Sequence, residues 1–383
     1  MNAQALYDFT PLARLMAMGV LIALGPLAWI WVRHQGAAPG RRLRALTLLT
    51  LFLTFDLVLF GAFTRLTDSG LGCPDWPGCY GKASPLGARA DIAAAQTAMP
   101  TGPVTHGKAW IEMIHRYLAT GVGVLILTLA IASWVQWRRG GARLGVSPWW
   151  PTFTLVWVCV QGAFGALTVT MKLFPAIVTL HLMGGLGLLA LLCVQAVRQR
   201  QAEPGGAGVE TLPQALRLGL WVTAALVGLQ VALGGWVSTN YAVLACTEFP
   251  QCQGSWWPEM NFRQGFELWR ALGLTGAGLP IEFAALTAIH YTHRLAAYVV
   301  LAALAWLAWR LLSAGRLVAQ ARWLAALALW QLVSGLSNVV LGWPLVAALA
   351  HTGGAAGLVV VLAWALAASR AEAEARFVSR VPA

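Results

Sequence analysis

An acid and an imidazole beside an apolar stretch are the first residues in this sequence that suggest chemistry. Glu112 and His115 lie three residues apart near the start of a long hydrophobic run, so on a helix they share one face. Ionisable side chains at bilayer depth are costly to bury, and the default interpretation is a functional site. The second half of the chain repeats the arrangement with His290 and His293.

The composition restricts the class of protein in which these residues act. The chain has 383 residues, of which 58% are hydrophobic and only 10% are charged. A soluble fold could not cover that much apolar surface, so we predict a membrane protein embedded in the lipid bilayer. The net charge of +12 is then expected to reflect basic loops on one side of the membrane, and not a nucleic-acid surface.

A helix needs roughly 20 residues to cross a bilayer, and nine apolar stretches reach that length. Their predicted limits are 12–33, 45–66, 108–137, 149–171, 174–197, 214–238, 284–312, 318–341 and 343–369. Arginines cluster after every second stretch, starting with the first, and in the tail. By the positive-inside rule the N-terminus lies outside and the C-terminus in the cytoplasm. The N-terminal residues have no cleavage-site pattern, so we expect a retained first helix in a bacterial cytoplasmic membrane.

Two long loops are predicted on the outer side, at roughly 67–107 and 239–283, and each contains one cysteine pair with the same spacing. The pairs are Cys73 with Cys79 and Cys246 with Cys252. In an oxidising compartment we expect two intraloop disulfides, either structural or redox-active. The alternative is a metal site, which would need further ligands, and only His106 is near enough in sequence to offer one.

Matched features recur at nearly constant spacing, which indicates an internal repeat. Cys73 precedes Cys246 by 173 positions, and His181 precedes His351 by 170. Gln161 and Gln331 are also 170 apart, and we expect these mid-helix glutamines, like Gln230, to bridge helices. The sequence therefore predicts an all-α polytopic membrane protein with two repeated four-helix bundles and one extra N-terminal helix. The predicted divisions are 1–44, 45–205 and 206–383.

Four histidines begin predicted membrane helices at repeat-matched positions and at similar depth. They are His115, His181, His293 and His351. One membrane histidine alone is often a hydrogen-bonded core residue, but four matched ones favour ligands. Two histidines on facing helices of a bundle can hold a haem from both sides. Two bis-histidine haem sites, one per half, explain the pattern better than zinc, which would need further ligands.

The charged neighbours of these histidines differ between the halves. Arg116 and Arg294 are candidate contacts for haem propionates, with a snorkelling interfacial arginine as the alternative. Glu112 has His290 as its counterpart, so only one haem would have a carboxylate beside it. Such a carboxylate can stabilise developing positive charge or move a proton. The alternative for Glu112 is an ion pair with Lys108 or Arg116. The asymmetry suggests that one haem takes part in chemistry and the other serves it.

With these residues in place, the chain resembles the haem A synthase family of membrane monooxygenases. The resemblance covers roughly 45–370 and is strongest in two motifs, FTRLTDSGLGCPDWP at 63–77 and EMIHRY at 112–117. The histidines at 181, 293 and 351 match as well. The extra first helix departs from the eight-helix pattern of that family.

The resemblance implies a specific reaction and an assignment of roles. The substrate is haem O, whose C8 methyl is hydroxylated twice to a geminal diol that loses water to give the formyl group of haem A. His293 and His351 match the pair that holds a haem b cofactor. His115 and His181 match the pair of the substrate site, and Glu112 matches its essential acid. The cysteine pairs match the loop cysteines of the family.

The resemblance also implies partners, and two other functions remain as alternatives. Haem O would come from haem O synthase, electrons from a donor that the sequence does not identify, and a homo-oligomer is left open. The first alternative is a di-haem b electron-transfer cytochrome, which does not explain Glu112. The second is a membrane haem transporter or chaperone, in which substitution of Glu112 would have no effect.

Overall fold

The computed structural model describes residues 10–140 and 147–371. Within these ranges, nine helices are long and apolar enough to cross a membrane. They are α1 (Thr10–Arg33), α2 (Pro39–Leu66), α4 (His106–Gly140), α5 (Trp149–Thr170), α6 (Pro175–Ala202), α7 (Gln214–Thr239), α9 (Phe283–Ser313), α10 (Val318–Val340) and α11 (Leu345–Ala367). The predicted all-α polytopic fold is confirmed.

Some helices extend beyond the apolar stretches that predicted them. Helix α2 begins at Pro39, six residues before its predicted start at 45. Proline favours the first turn of a helix, and the basic residues that follow it are helical although they are not hydrophobic. The guanidinium of Arg42 donates to the carbonyl of His34 at 2.9 Å. Hydropathy therefore located this helix but not its polar first turn.

Short elements that hydropathy does not predict lie between the long helices. Helix α3 spans Arg89–Ala98 and helix α8 spans Phe262–Gly265. A parallel pair of three-residue strands joins β1 (Glu210–Leu212) to β2 (Ser369–Ala371). We call the segments 67–105 and 240–282, which connect α2 to α4 and α7 to α9, the first and second Cys loops.

The described residues form two compact units. One contains 10–140 and 147–173, and the other contains 174–371. Helix α6 thus belongs with the C-terminal helices by its contacts, whereas the sequence repeat pairs α6 with α11. The division at 205 describes the repeat, and as a domain boundary it stays a prediction.

In the first unit, the helix that contains Glu112 and His115 packs against three others. Helices α1, α2 and α5 all contact α4. Leu15 of α1 joins Met113 and Tyr117 of α4 in one buried cluster, which also includes the cysteine pair of the first Cys loop. The extra N-terminal helix is therefore part of the packing that holds α4.

In the second unit, the two histidine-bearing helices of the C-terminal repeat both pack against α7 and α10. Helix α9 contacts α7 and α10, while α11 contacts α10, α6 and α7. The β1–β2 pair links the segment before α7 to the segment after α11. Arg217 of α7 strengthens this link by donating to the carbonyl of Leu366 at 2.8 Å and to the Ser369 hydroxyl at 2.9 Å.

Candidate functional site

The four candidate haem ligands lie on four different helices. His115 lies on α4 in the first unit, and His181, His293 and His351 lie on α6, α9 and α11 in the second. All four rings stay partly exposed, whereas Glu112 and His290 on the same helices are buried. A ligand can reach a partly exposed imidazole, whereas a buried one is enclosed by protein.

His351 lies in a contact that fixes the role of each ring nitrogen. The Ser334 hydroxyl of α10 lies 3.0 Å from its Nδ1 and 2.7 Å from the carbonyl of Trp330. A hydroxyl has one proton, and the carbonyl can only accept it, so the Ser334 oxygen accepts from Nδ1–H. The lone pair of the ring is then on Nε2, where a neutral histidine binds iron.

His293 has a matching contact from α7. The carboxamide nitrogen of Gln230 lies 3.1 Å from Nδ1 of His293 and 3.0 Å from its backbone carbonyl. On the other helix pair, the carboxamide of Gln331 donates to the backbone carbonyl of His351 at 2.9 Å. The prediction that Gln230 and Gln331 bridge helices is confirmed.

Glycines lie where the neighbouring helix meets a candidate ligand. A Cβ at Gly234 would lie 2.9 Å from Cε1 of His293, and one at Gly335 would lie 3.2 Å from Cε1 of His351. A Cβ at Gly61 would lie 3.0 Å from Nε2 of His115. Each ring therefore packs directly against the backbone of an adjacent helix, which a larger residue would prevent.

These glycines and glutamines form a motif that the sequence interpretation missed. Glutamine precedes glycine by four residues, one helical turn, on three helices. The pairs are Gln161/Gly165, Gln230/Gly234 and Gln331/Gly335. The repeat of this spacing in the sequence was the available signal.

Glu112 lies next to the first Cys loop and is only 4% exposed. Its Oε2 accepts a hydrogen bond from the backbone N–H of Cys73 at 2.8 Å, and its Oε1 pairs with the guanidinium of Arg116. The ion pair with Arg116, one of the alternatives for this acid, is present. The carboxylate is therefore held in one orientation by the loop and by its own helix.

Arg116 binds the first Cys loop as well as Glu112. Its NH1 lies 3.0 Å from the carbonyl of Asp75, 3.2 Å from that of Pro77 and 2.6 Å from that of Gly78. A buried guanidinium with several carbonyl acceptors is well satisfied, because arginine offers five donors. This anchoring role was not anticipated from the sequence, which suggested contacts with propionates.

Arg294 binds the second Cys loop in the same way. Its NH1 donates to the carbonyls of Glu248 and Gln251 at 2.8 and 3.0 Å, and its NH2 lies 3.2 Å from that of Cys246. His290, the counterpart of Glu112, has its Nδ1 2.9 Å from the carbonyl of Ala242 in the same loop. In both halves, therefore, the residues beside the candidate ligand hold the Cys loop on the helix.

The two Cys loops share a hairpin turn. Cys79 pairs with Lys82, and Cys252 pairs with Ser255, each through an antiparallel bridge around two residues. The central residues have positive φ in both turns: Tyr80 and Gly81 in one, Gln253 and Gly254 in the other. This is the type of tight turn that a two-residue hairpin requires.

Both predicted disulfides are present. They join Cys73 to Cys79 and Cys246 to Cys252, and all four residues are at most 1% exposed. Within the described residues, no group of three or more His, Cys, Asp or Glu side chains is arranged to hold a metal ion.

Two titratable groups of the Cys loops have shifted pKa values. Burial raises the pKa of Tyr80, and the nearby Asp91 and Asp75 raise it further. Burial lowers the pKa of Arg270, which Glu267 partly opposes. Arg270 donates to Asn240 Oδ1 at 2.5 Å and lies over the ring of Trp236, so it fixes the second Cys loop to the end of α7.

The two candidate ligands of the second unit, His293 on α9 and His351 on α11, have similar surroundings. Both rings lie against glycines of neighbouring helices, and both have a polar partner at Nδ1. This donor set fits a haem better than zinc, because imidazoles alone are available to it. Fold and site together define a polytopic membrane protein suited to binding haem.

Comparison with known proteins identifies the family. A model of the COX15-CtaA family, described as cytochrome oxidase assembly protein, matches residues 44–363. The chain belongs to this family. A relative from Shewanella oneidensis named Heme A synthase is 37% identical over 316 residues, which cover 82% of this chain and 92% of the relative. Relatives of the same name from Symbiobacterium thermophilum and from a Bradyrhizobium species (strain ORS 278) are each 29% identical, covering 85% and 81% of this chain.

Proposed function

We propose that this membrane protein is a haem A synthase, an oxidoreductase of haem A biosynthesis that converts haem O to haem A. The reaction hydroxylates the C8 methyl group of haem O twice, and the resulting geminal diol loses water to leave a formyl group. The observation that carries this proposal is the similarity along most of the chain to relatives of that name, at up to 37% identity over 82% of its length.

We assign the cofactor, haem b, to His293 and His351. The support is that both lie in the second unit, on α9 and α11, that each has a polar contact at Nδ1, and that the Ser334 contact leaves the lone pair of His351 on Nε2. When bound, haem b supplies electron transfer to the substrate site. The role of the protein is to hold two imidazoles in fixed orientation within an apolar bundle.

We assign the substrate site to His115 and His181. They occupy the same repeat positions as His293 and His351. In the first unit, Gly61 leaves room beside the ring of His115, which stays partly exposed. The two imidazoles would hold haem O at this site by binding its iron.

Glu112 is the proposed catalytic residue. It lies three residues before His115, and Cys73 and Arg116 fix its orientation. A fixed carboxylate can stabilise positive charge that develops on the substrate or accept a proton, without having to reorganise during the reaction. The second half has no equivalent carboxylate, since His290 takes that position and binds the carbonyl of Ala242.

Arg116 and Arg294 are proposed to contact haem propionates with the N–H groups that the Cys loops do not use. Both side chains are buried, and their described hydrogen bonds run to loop carbonyls and to Glu112. A propionate contact would thus couple the occupied site to the conformation of the adjacent loop.

We further propose the setting in which the enzyme acts. The proposed location is a bacterial cytoplasmic membrane, with the N-terminus and both Cys loops on the periplasmic side. The positive-inside rule supports this orientation, because arginines are concentrated in the opposite loops. Buried disulfides at Cys73 and Cys246 are consistent with that oxidising side. Haem O synthase would deliver the substrate, a separate donor would supply electrons, and self-association into a homo-oligomer is compatible with this arrangement.

Haem A formation in a host that makes haem O but no haem A tests the proposed function. We expect cells that express this chain together with a haem O synthase to contain haem A, identified by chromatography and mass spectrometry of extracted haems. Cells with haem O synthase alone are the control and should contain haem O without haem A. Unchanged haem O in cells whose membranes contain the haem-loaded chain would contradict the proposal.

A further inference from the structure

Polar side chains contact Nδ1 of both proposed haem b ligands. We propose that Gln230 and Ser334 are positioning residues, which fix the orientation of the His293 and His351 rings and thereby retain haem b. The inference rests on the proposed function, because it takes these two histidines as the haem b ligands. It adds the residues that make this half a permanent binding site.

The contact at Ser334 has a definite direction. Its hydroxyl is 2.7 Å from the carbonyl of Trp330 and 3.0 Å from Nδ1 of His351. Since the hydroxyl proton is used on the carbonyl, the imidazole must donate through Nδ1–H. A histidine that donates from Nδ1 is a better electron donor at Nε2, which strengthens its bond to iron.

Gln230 contacts both the ring and the backbone of His293. Its Nε2 lies 3.1 Å from Nδ1 and 3.0 Å from the backbone carbonyl of the same histidine. A carboxamide nitrogen has two protons, so it can donate to both atoms at once. Gln230 therefore restrains the imidazole of His293 relative to its own backbone.

Backbone contacts hold the same two helix turns in place. The carboxamides of Gln230 and Gln331 bind the backbone carbonyls of His293 and His351 at 3.0 and 2.9 Å. The ring of each histidine lies against a glycine one turn further along the helix that bears the glutamine. Each imidazole is thus restrained at its backbone, at its ring face and at Nδ1.

The two residues that contact Nδ1 in the C-terminal half are not repeated in the first half of the sequence. The position equivalent to Gln230 is Leu57, by the spacing that relates Gly61 to Gly234, and the position equivalent to Ser334 is Phe164. Gln331, in contrast, has a glutamine equivalent in Gln161. The repeat therefore retains the helix-bridging glutamine but replaces both Nδ1 partners with side chains that cannot form hydrogen bonds. Such a difference suits a cofactor site beside a site that must exchange its haem.

Haem retention and reduction potential of purified, haem-loaded variants test the inference. The variants are Ser334→Ala and Gln230→Leu, the latter introducing the residue found at the equivalent position of the first half. We expect haem b to transfer from each variant to apomyoglobin roughly 10-fold faster than it does from the unmodified protein. In Ser334→Ala we also expect the reduction potential of haem b to rise, because loss of the acceptor at Nδ1 makes the imidazole of His351 less electron-rich, and such a ligand stabilises ferric iron less.

Two further variants separate hydrogen bonding from packing. Ser337→Ala is the matched control, since Ser337 lies on the same helix and its exposed hydroxyl donates to the carbonyl of Val333 at 2.8 Å. It should leave both measurements unchanged, and Ser334→Thr should restore the values of the unmodified protein. Ser334→Ala could lose its haem completely. In that case, haem binding by Ser334→Thr would support the inference, and absence of haem from Ser334→Thr would contradict it.

The outcomes distinguish this inference from the proposed function. Unchanged haem transfer and potential in both Ser334→Ala and Gln230→Leu would contradict the positioning role alone. Retention of haem b in His293→Ala and His351→Ala would instead contradict the ligand assignment on which the proposed function depends.

Discussion

Alanine at His293 or His351 should abolish the stable low-spin haem b signal of the purified protein. A bis-histidine haem is low-spin because two imidazoles bind the iron. Helix α9 supplies one of them, His293, and α11 supplies the other, His351. Loss of either ring removes one of the two axial ligands, and an iron left with one imidazole does not give the bis-histidine low-spin spectrum. The measurement is the optical spectrum of oxidised and reduced protein, with haem quantified by extraction.

His106→Ala is the matched control for these variants. His106 is the first residue of α4, and its backbone N–H lies 3.1 Å from Oε1 of Gln96. Because that contact is made by the backbone, the substitution should leave it intact and the haem b spectrum unchanged. A normal low-spin spectrum in both His293→Ala and His351→Ala would contradict the assignment of the cofactor pair.

Substitution of Glu112 should stop haem A formation while haem b remains bound. We expect the rate of haem A formation to fall by roughly 100-fold or more in Glu112→Gln, the usual effect of losing a general acid–base or electrostatic group. Haem b should be retained, because Glu112 lies in the first unit and the proposed cofactor ligands lie in the second. The measurement is haem A formed per haem b bound, in membranes supplied with haem O.

Two substitutions at this position separate the charge of Glu112 from its role in holding the loop. Glutamine keeps an oxygen that can accept from Cys73 N–H, whereas alanine removes the contacts with both Cys73 and Arg116. If Glu112→Gln keeps the normal rate of haem A formation and Glu112→Ala does not, Glu112 acts only by anchoring the loop. If both variants form haem A normally, the acid has no part in the reaction.

The positions of the membrane helices could be predicted because the bilayer imposes one requirement on them. About 20 apolar residues are needed to cross it, and a run of that length is visible in the sequence without knowledge of contacts. Reliance on apolar residues also limits the prediction, because it misses helical turns that are polar, such as the first turn of α2 from Pro39. Helix α3, which is rich in alanine, was assigned to a loop because its surroundings are rich in proline and glycine.

The candidate ligands could be predicted for a related reason, but their surroundings could not. A histidine in an apolar helix is conspicuous, and the repeat supplied three further examples. The hydrogen bonds of Arg116 to the loop carbonyls and of Ser334 to His351 depend on how distant segments fold together. Spacing along one helix cannot reveal them. Glu112 is an example of both cases. Its position on the same helix face as His115 was predictable from spacing, and its hydrogen bond from Cys73 N–H was not.

Identification of the haems bound to the purified protein tests the central claim most directly. The protein is produced together with haem O synthase, so that substrate is not limiting, and its haems are extracted, separated and identified by mass. We predict haem b together with haem O, its hydroxylated form or haem A, which is the result expected of a cofactor site beside a substrate site. Two equivalents of haem b and no other haem under these conditions would contradict the account and favour a di-haem electron carrier.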